Sequence, residues 1–326
     1  MSRRISIVSA IIALAFFSAV FGCSSVSNPT VASHSAAAGL RKTPKSVGTW
    51  TTKAPMLTAR FGPASGVVNG KFYAVGGYDS GYLQSVEAYV PATNTWTARA
   101  PMHTKRAYLA AGVINGILYA VGGYHYQKLQ TLEAYDPATD TWTTKAPMPT
   151  ARYSLAAGVI NGTLYAVGGD RYDNALNTVE AYNPVTNTWT TKAPMPTARF
   201  DLAVGVIDGI LYAVGGASGC CDFNTVEAYD PLTDTWTTKA SMPTVREALS
   251  ASVLEGKLYA VGGQANGFTT GIVEAYDPKT DTWTAEASMP TPRDGLATSV
   301  VGGRLYAVGG SNESRYLDTV EAFNPQ

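Results

Sequence analysis

Three acidic side chains stand one or two positions after an arginine that recurs along the chain. They are Asp201, Glu247 and Asp294, and they fall in three consecutive segments of similar length. If the fold brings these segments together, the carboxylates form an acidic patch suited to contacts with a cation or with ligand hydroxyl groups. Ordinary solvated loop charge is the simpler interpretation, and we favour it because acidic side chains are mostly exposed in proteins.

Residues that commonly bind transition metals are scarce. The chain has three histidines, His34, His103 and His125, and the adjacent pair Cys220 and Cys221 lies far from them in sequence. A transition-metal site needs several such ligands at suitable spacing, so neither a metal nor another cofactor is predicted. The sequence also contains no nucleophile–base arrangement and no phosphate-binding loop, and it identifies no catalytic residue.

Arginine and glutamate each recur six times at a constant place in a repeated unit. The arginines are Arg60, Arg106, Arg152, Arg199, Arg246 and Arg293. The glutamates are Glu87, Glu133, Glu180, Glu227, Glu274 and Glu321. The arginines could form a ring of ligand-binding groups. We favour a structural Arg–Glu pair in every unit, because a pair satisfies two partly buried charges and a ligand rarely needs six equal contacts.

The period of these residues indicates the elements that position them. Six tryptophans, at positions 50, 96, 142, 189, 236 and 283, are separated by 46 or 47 residues, and six Gly-Gly pairs keep the same spacing. A period of this length is typical of a solenoid, a propeller or an array. In the third unit, residues 154–160, 163–169, 178–182 and 188–192 are predicted strands A, B, C and D, separated by turn-forming Asn, Gly and Pro.

The Gly-Gly pair, the tyrosine of strand C and the tryptophan of strand D resemble the kelch repeat. In the third unit they are Gly168-Gly169, Tyr182 and Trp189, and in the last unit Phe323 replaces the tyrosine. The resemblance covers residues 48–326 and implies an all-β fold, a six-bladed kelch-type β-propeller with four antiparallel strands per blade. The domain starts with a lone D strand at residues 49–53 and ends after a C strand. We therefore expect the N-terminal strand to close the last blade and leave no open edge.

The B–C loops and the D–A connections vary most between units, and both lie on one rim of a propeller, here called the variable rim. The opposite rim, the turn rim, carries the nearly uniform A–B and C–D turns. Loops on a rigid scaffold commonly carry binding sites, so we predict the variable rim as the ligand-binding face. The candidate residues are Tyr78, Tyr82, Tyr108, Tyr124, Tyr126, Tyr153, Tyr172, Asp201, Phe223, Glu247, Phe268, Asp294 and Tyr316.

Aromatic side chains with polar neighbours suit stacking on a sugar or anchoring of a peptide. We therefore predict a binding module for a carbohydrate or for a protein or peptide ligand. Packing between blades is the alternative role for Phe61, Tyr153 and Phe200, which directly follow the repeated arginine. A monomer is expected, and the formal net charge of zero provides no basic surface for nucleic acid.

Two other functional classes stay open. Galactose oxidase holds copper on a kelch propeller through Tyr, His and Cys ligands, but this chain has too few of them to predict such a site. Some exported six-bladed kelch proteins resemble sialate mutarotases, which need no cofactor, and Glu247 with an adjacent arginine could supply acid–base chemistry there. An enzyme is less favoured than a binding module. The third class is a structural module of cell-envelope assembly.

Residues 1–22 have the pattern of a bacterial export signal, with Arg3-Arg4 before an apolar run at 5–21. Cys23 follows in a stretch that resembles a lipobox, which predicts a lipid on this cysteine. The expected location is the periplasm, the outer membrane or the cell surface. Simple secretion is the second interpretation, and a retained membrane anchor is the third. Residues 23–47 are predicted as a flexible tether.

Cys220 and Cys221 are adjacent in the fourth B–C loop. If Cys23 carries lipid, they are the only thiols left in an oxidising compartment. Neighbouring Cα atoms are about 3.8 Å apart across a trans peptide, below the usual disulfide range, so a vicinal disulfide would be strained. A labile loop bridge and two thiols both stay open.

Overall fold

The computed structural model describes residues 48–171, 174–219 and 221–325, which form a closed ring of six antiparallel four-stranded sheets. No described residue is helical, and no described segment could therefore span a membrane as a long apolar helix. The expected six-bladed propeller is confirmed. The predicted export signal, the tether with Cys23, Tyr172 and Cys220 lie outside the described residues and stay predictions.

The chain begins with β1 (Thr49–Thr52) and then forms three blades in sequence order. Blade 1 contains β2 (Ala64–Val68), β3 (Lys71–Val75), β4 (Val86–Val90) and β5 (Thr95–Arg99). Blade 2 contains β6 (Ala110–Ile114), β7 (Ile117–Val121), β8 (Leu132–Asp136) and β9 (Thr141–Thr144). Blade 3 contains β10 (Ala156–Ile160), β11 (Thr163–Val167), β12 (Val179–Asn183) and β13 (Thr188–Lys192).

The last three blades add a two-stranded hairpin in each B–C loop. Blade 4 contains β14 (Ala203–Ile207), β15 (Ile210–Val214), β16 (Ala217–Ser218), β17 (Cys221–Asp222), β18 (Val226–Asp230) and β19 (Thr235–Lys239). Blade 5 contains β20 (Ser250–Leu254), β21 (Lys257–Val261), β22 (Gln264–Ala265), β23 (Phe268–Thr269), β24 (Val273–Asp277) and β25 (Thr282–Ala285). Blade 6 contains β26 (Ala297–Val301), β27 (Arg304–Val308), β28 (Ser311–Asn312), β29 (Arg315–Tyr316) and β30 (Val320–Asn324).

Strand β1 completes blade 6, as the phase of the repeat predicts. It pairs antiparallel with β30, and Trp50 lies opposite Phe323. The two rings are 5.2 Å apart, and the indole N–H of Trp50 donates to the carbonyl oxygen of Ala287 at 2.8 Å. The first and last strands of the ring therefore share one sheet, and β30 has a neighbour on each side.

Strands A and B of blade 3 are each two residues shorter than expected. Strand A begins at Ala156 rather than Ser154, and strand B ends at Val167. The reason is backbone conformation: φ is 51° at Ser154, 61° at Gly168 and 104° at Gly169. These positive values lie outside the β region, so the chain leaves the sheet there.

The Gly-Gly pair connects each blade to the next. In blade 3, the N–H of Gly169 donates to the carbonyl oxygen of Arg199, in the segment that leads into blade 4, at 3.0 Å. A Cβ on Gly168 would lie 2.6 Å from the same oxygen. Close approach of the next blade and positive φ therefore both require glycine at this pair.

Apolar side chains fill the space between neighbouring blades. Between blades 2 and 3, Met148 is fully buried in a cluster with Tyr119 of one blade and Leu164 of the other. The six repeated methionines are all buried, with at most 3% of their surface exposed. These are Met56, Met102, Met148, Met195, Met242 and Met289, and their flexible side chains fill the gaps between rigid sheets.

On the turn rim, an Asp or Asn in each C–D turn joins neighbouring blades. Asp140 accepts hydrogen bonds from the hydroxyl of Tyr135 at 2.6 Å and from the N–H of Ala100, after blade 1, at 3.0 Å. The equivalent residues make the same two contacts in their blades, and they are Asn94, Asn187, Asp234 and Asp281. These side chains are part of the framework and are unsuited to binding a ligand.

Candidate functional site

The six repeated arginines are 0% exposed. Each one contacts the glutamate of its own blade over 2.6–3.1 Å. In blade 4, Arg199 also donates to the carbonyl oxygens of Gly215 and Thr225, at 3.1 and 2.9 Å, and so joins the end of strand B to the start of strand C. The guanidinium groups are therefore occupied inside the blades, and none of them is presented to a ligand.

Six backbone hydrogen bonds form a closed ring at the mouth of the central channel, here called the mouth ring. The residue two positions after each repeated arginine donates its N–H to the carbonyl oxygen of its counterpart in the preceding blade, over 2.8–2.9 Å. All six residues have φ between 49° and 60°, which turns the N–H and C=O groups along the ring. The members are Gly62, Tyr108, Ser154, Asp201, Ala248 and Gly295. The mouth ring fixes the backbone that presents Tyr108 and Asp201.

A second set of contacts holds the residues just before the mouth ring. Glu247 and Gln264 exchange two backbone hydrogen bonds, at 3.1 and 2.8 Å. Asp294 and Ser311 do the same at 3.0 and 2.9 Å. In every blade, the residue after the repeated arginine pairs in this way with the residue after the Gly-Gly pair. The B–C loops and the D–A connections are thereby joined into one surface.

Within the described part of the chain, nine aromatic rings form a continuous cluster on one half of the variable rim, here called the aromatic arc. Its members are Phe61, Tyr78, Tyr82, Tyr108, Tyr124, His125, Tyr126, Tyr153 and Tyr316. Tyr82 is central, with ring centroids 5.2–5.9 Å from four neighbours. Burial, followed by its tyrosine neighbours, raises the pKa of Tyr82 to about 12. The arc runs from blade 6 through blades 1 and 2 to blade 3.

The predicted aromatic residues differ in how far they reach into solvent. Tyr126 is 80% exposed, Phe268 66% and Tyr316 38%. The others that the structure describes are half-buried, and they are Tyr78, Tyr82, Tyr108, Tyr124, Tyr153 and Phe223. Phe61 stacks on Tyr316 with ring centroids 5.7 Å apart and an angle of 16°, so packing within the arc occupies part of its surface. The exposed members are the ones best placed to meet a ligand.

On the other half of the variable rim, five carboxylates among the described residues act on one another through their charges, and they are here called the acidic arc. Its members are Asp170, Asp201, Asp222, Glu247 and Asp294. Burial raises the pKa of Glu247 to about 8, and the charges of Asp201, Asp222 and Asp294 add to the effect. Burial likewise raises the pKa of Asp201 and of Asp294 to about 6. The three residues thus share one region, where each negative charge disfavours the next. The interpretation that we favoured, solvated loop charge, is wrong for Asp294, which is buried in the fold.

The three predicted carboxylates differ in their hydrogen-bond partners. Asp294 is 4% exposed and accepts a hydrogen bond from the amide of Gln264 at 2.7 Å. Asp201 is held by a hydrogen bond with Ser154, which lowers its pKa against the effect of burial. The carboxyl group of Glu247 is half-buried and makes no hydrogen bond within the described part of the chain. Glu247 is therefore the carboxyl group with acceptor capacity to spare.

Two members of the acidic arc were missing from the residues predicted as the site. Asp170 is 4% exposed and accepts a hydrogen bond from the hydroxyl of Tyr153 at 3.1 Å, which joins the two arcs at blade 3. It follows the Gly-Gly pair, where blades 1 and 2 carry Tyr78 and Tyr124. Comparing that position between blades would have singled it out. Asp222 lies in the hairpin of β16 and β17, which the repeat pattern does not indicate.

Tyr108 connects the arcs across the mouth. Burial raises the pKa of Tyr108, and nearby charges raise it further. The largest of these charge effects comes from Asp201, and smaller ones come from residues of both arcs. Its ring covers Gly62, where an added Cβ would lie 3.1 Å from ring atom Cδ1. The ring of Phe61 covers Gly295 in the same way. The two glycines of the mouth ring thus let aromatic faces lie beside the carboxylates.

Below the mouth ring, the six A strands enclose a channel of about 310 Å³. Blades 2 to 4 line it with Ala, Gly and Val, whereas blades 5, 6 and 1 contribute hydroxyl groups. Ser65 contacts Ser299 at 3.0 Å, and Ser252 donates to Thr298 at 2.9 Å. These hydroxyl groups satisfy one another, so the polar part of the channel is stable without a ligand.

The described residues form neither a metal site nor the suggested acid–base pair of Glu247 with its adjacent arginine. Among the described residues, no three or more His, Cys, Asp or Glu side chains converge as metal ligands. Arg246, next to Glu247 in sequence, is fully buried and contacts Glu274 at 2.7 Å. The guanidinium of Arg246 is thus committed to the blade interior, and Glu247 does not pair with it.

Comparisons with known proteins agree with the repeat and the fold. The profile of the KLHDC2/KLHL20/DRC7 Kelch-repeats domain matches residues 67–242, and the Kelch motif matches residues 246–290 and 292–326. No curated protein matches the chain in sequence. A solved structure titled "Structure of YjhT" is similar with a TM-score of 0.72 and 15% identity, over 82% of this chain and 95% of that one, a likeness of fold. The chain belongs to the kelch-repeat family of β-propellers.

Proposed function

We propose that the chain is an exported binding module that holds a protein or peptide ligand on its variable rim. Kelch-repeat propellers are generally protein-interaction modules, which favours such a ligand over a carbohydrate. The observation that carries the proposal is the meeting of the aromatic arc and the acidic arc around one channel mouth, where Tyr153 contacts Asp170. Aromatic anchors beside fixed polar groups are the usual composition of a binding hot spot.

The two rims offer a ligand very different surfaces. On the turn rim, each C–D turn repeats the same threonine contact, such as Thr139 with Thr141 at 2.8 Å. The large apolar residues exposed in these turns are Val185 and Leu232, at 92% and 90%. The variable rim changes from blade to blade and combines exposed rings with carboxylates. A ligand therefore finds side-chain variety on the variable rim alone.

The first experiment is a screen of the soluble domain, residues 48–326, against a peptide array and a glycan array. Binding to peptides supports the proposal. Binding to glycans without peptides would replace it by a carbohydrate-binding module. Turnover of a free sugar, followed by NMR, would favour the cofactor-free enzyme instead.

A matched pair of variants tests which rim binds the selected peptides. Tyr126→Asn with Tyr316→Ala removes two exposed rings from the aromatic arc. Asn suits position 126, where φ is 57°, because Asn266 adopts 52° at the tip of the blade 5 loop. Each well-buried ring contact contributes roughly 1–2 kcal/mol, so at least about tenfold weaker binding is expected.

The control removes two exposed apolar side chains from the turn rim, Val185→Ala with Leu232→Ala. It should leave peptide affinity unchanged. Asn187 is unsuitable as a control because it accepts hydrogen bonds from Tyr182 and from the N–H of Ala146. If the turn-rim variant loses binding and the aromatic variant keeps it, the ligand face is the turn rim.

Export is a separate part of the proposal and rests on residues 1–22 and on Cys23. A lipid on Cys23 would tether the propeller through residues 23–47. Cys23→Ala should then move the protein from the membrane fraction to the soluble fraction of a bacterial host. A wild-type protein that is already soluble would contradict the lipid anchor, while leaving the binding face untouched.

A further inference from the structure

We propose that the channel mouth recognises a basic side chain, arginine or lysine, of an extended peptide. This inference rests on the proposed function, because it names the chemistry that the variable rim selects. The cationic head would lie among Asp201, Glu247 and Asp294, and its apolar stem would pack on the rings of Phe61 and Tyr108. The exposed rings around the mouth would hold the flanking residues of the peptide.

Charge complementarity supports a cation rather than an anion. The charges that act on Glu247 belong to Asp201, Asp222 and Asp294, and all of them are acidic. The repeated arginines do not offset them, because each one is buried against its own glutamate. With a pKa raised to about 8, the carboxyl group of Glu247 is mostly protonated at neutral pH. A bound guanidinium or ammonium group would favour its ionised form, and it would also give this carboxylate the hydrogen-bond partner that Glu247 lacks among the described residues.

The aromatic side of the mouth fits the rest of such a side chain. Phe61 and Tyr108 are in edge-to-face contact with ring centroids 5.5 Å apart, and they lie over the glycines of the mouth ring. The negative charges of Asp201 and Asp294 act on Tyr108 as well, so its ring adjoins the carboxylates. A cation placed there contacts acidic oxygens and aromatic faces together, which favours the planar guanidinium of arginine in particular.

The separation of the carboxylates favours a large organic cation over a metal ion. They influence one another's ionisation, yet the described residues contain no group that converges at metal-ligand distances. An organic cation with several donors can contact carboxylates that are too far apart to share one metal ion. A peptide is the source that the observations favour, because Tyr126, Phe268 and Tyr316 offer further apolar contacts outside the mouth.

The test compares two hexapeptide arrays with randomised flanks, one with a central arginine and the other with citrulline, its neutral isostere. The domain of residues 48–326 should bind the arginine array at least about tenfold more strongly. A triple variant, Asp201→Asn, Glu247→Gln and Asp294→Asn, should lose this preference while melting cooperatively. Asn is well tolerated at position 201, where φ is 50°.

The matched control removes three carboxylates from the turn rim with Asp136→Asn, Asp230→Asn and Asp277→Asn. Blade 3 already has Asn183 at this position, and its side-chain oxygen accepts the same turn hydrogen bond as that of Asp136. The control removes as many carboxyl groups as the triple variant and should keep the arginine preference. A preference lost equally in both variants would mean that overall charge attracts the peptide, and it would overturn the inference.

The remaining outcomes separate this inference from the proposed function. Equal binding to the arginine and citrulline arrays, weakened by the Tyr126 and Tyr316 changes, would overturn the cation site and keep the peptide-binding face. No binding to either array would overturn both. Binding of a deacetylated glucosamine tetramer in place of peptides, lost in the triple variant, would show a cation site for an amino sugar and overturn the peptide assignment.

Discussion

A guanidinium nitrogen of Arg106 lies 2.6 Å from a carboxylate oxygen of Glu133, and both side chains are completely shielded from solvent. Burial lowers the pKa of Arg106 to about 10, which still leaves it charged at neutral pH. The second oxygen of Glu133 faces the largely exposed ring of His103 at 3.5 Å. Arg106 and Glu133 therefore form a buried ion pair in which each charge is compensated by the other.

Removing one partner of this pair should be far more costly than removing both. Arg106→Met leaves the charge of Glu133 buried and unpaired, and it should lower the free energy of unfolding by about 3–5 kcal/mol. The double variant Arg106→Met, Glu133→Leu should recover a large part of that loss. Urea denaturation measures both changes. A single variant within about 1 kcal/mol of the wild type would show that the pair contributes little.

The aspartates of the C–D turns should make stability sensitive to acid. The hydrogen bond from Tyr135, followed by that from Ala100, lowers the pKa of Asp140 below its ordinary value of 3.8. Asp234 and Asp281 are affected in the same way by their own partners. Their contribution to stability is present above the ordinary pKa and is lost as the pH falls through the lower pKa of the folded state.

The variant Asp140→Asn, Asp234→Asn, Asp281→Asn should therefore lose less stability than the wild type between pH 5 and pH 2. Asn94 and Asn187 already make both hydrogen bonds with an amide in two blades. Thermal unfolding at several pH values measures the effect. The triple Asn variant at Asp136, Asp230 and Asp277 is the control. An identical acid profile for wild type and test variant would contradict the prediction.

Glu247 should have the opposite effect on the pH profile. Its folded-state pKa of about 8 lies above the ordinary value of 4.5, so the fold favours the protonated carboxyl group. This contribution is fully present below about pH 4.5 and is lost as the pH rises through about 8. The melting temperature of the wild type should therefore fall relative to that of Glu247→Gln between pH 5 and pH 9. The exposed Glu255→Gln should show no such trend, and a constant difference for Glu247→Gln would refute the prediction.

The mouth ring should be stabilised by glycine at position 248. Ala248 has φ of 49°, and its counterparts Gly62 and Gly295 show that glycine fits this ring. Relief of the left-handed strain exceeds the added entropy of the unfolded chain, so Ala248→Gly should raise the free energy of unfolding by about 0.5–1 kcal/mol. Ala251→Gly, in strand β20, is the control and should lower it. Equal effects of the two changes on chemical denaturation would mean that the ring is not strained.

The closing strand should contribute measurably to the stability of the whole ring. Trp50→Ala removes a half-buried ring that contacts Phe323 and the hydrogen bond to Ala287, and it should cost about 2–3 kcal/mol. A protein that begins at residue 54 lacks β1 and exposes β30 as a sheet edge, so oligomers are expected in light scattering. A protein that begins at residue 48 keeps β1 and is the control. Similar denaturation midpoints for the two truncated proteins would argue against closure through β1.

The number of blades, the order of their strands and the closing role of residues 49–53 could be predicted from the sequence. Each depends on the phase of a repeat and on turn residues, and both are properties of short segments. The buried Arg–Glu contact was expected for the same reason, since the two residue types recur together. The strand ends at Ser154 and Gly168 could not be predicted, because the positive φ values there serve hydrogen bonds to neighbouring blades.

The candidate site, too, was predictable only in the features that short segments determine. Residue types in the variable loops led to the prediction that the variable rim binds a ligand, but they did not indicate which side chains would meet. Phe61 stacks on Tyr316 from the other end of the domain because the ring closes, and Asp201, Glu247 and Asp294 influence one another because their three neighbouring blades pack side by side. Phe323 shows the reverse case, a sequence departure that the structure explains. Its blade takes strand D from the N-terminus, and Gly48 lies against the Phe323 ring at the position where the other five blades have the Asp or Asn that binds the tyrosine hydroxyl. Repeats encode the blade locally, whereas contacts between blades form only when the blades pack around the channel.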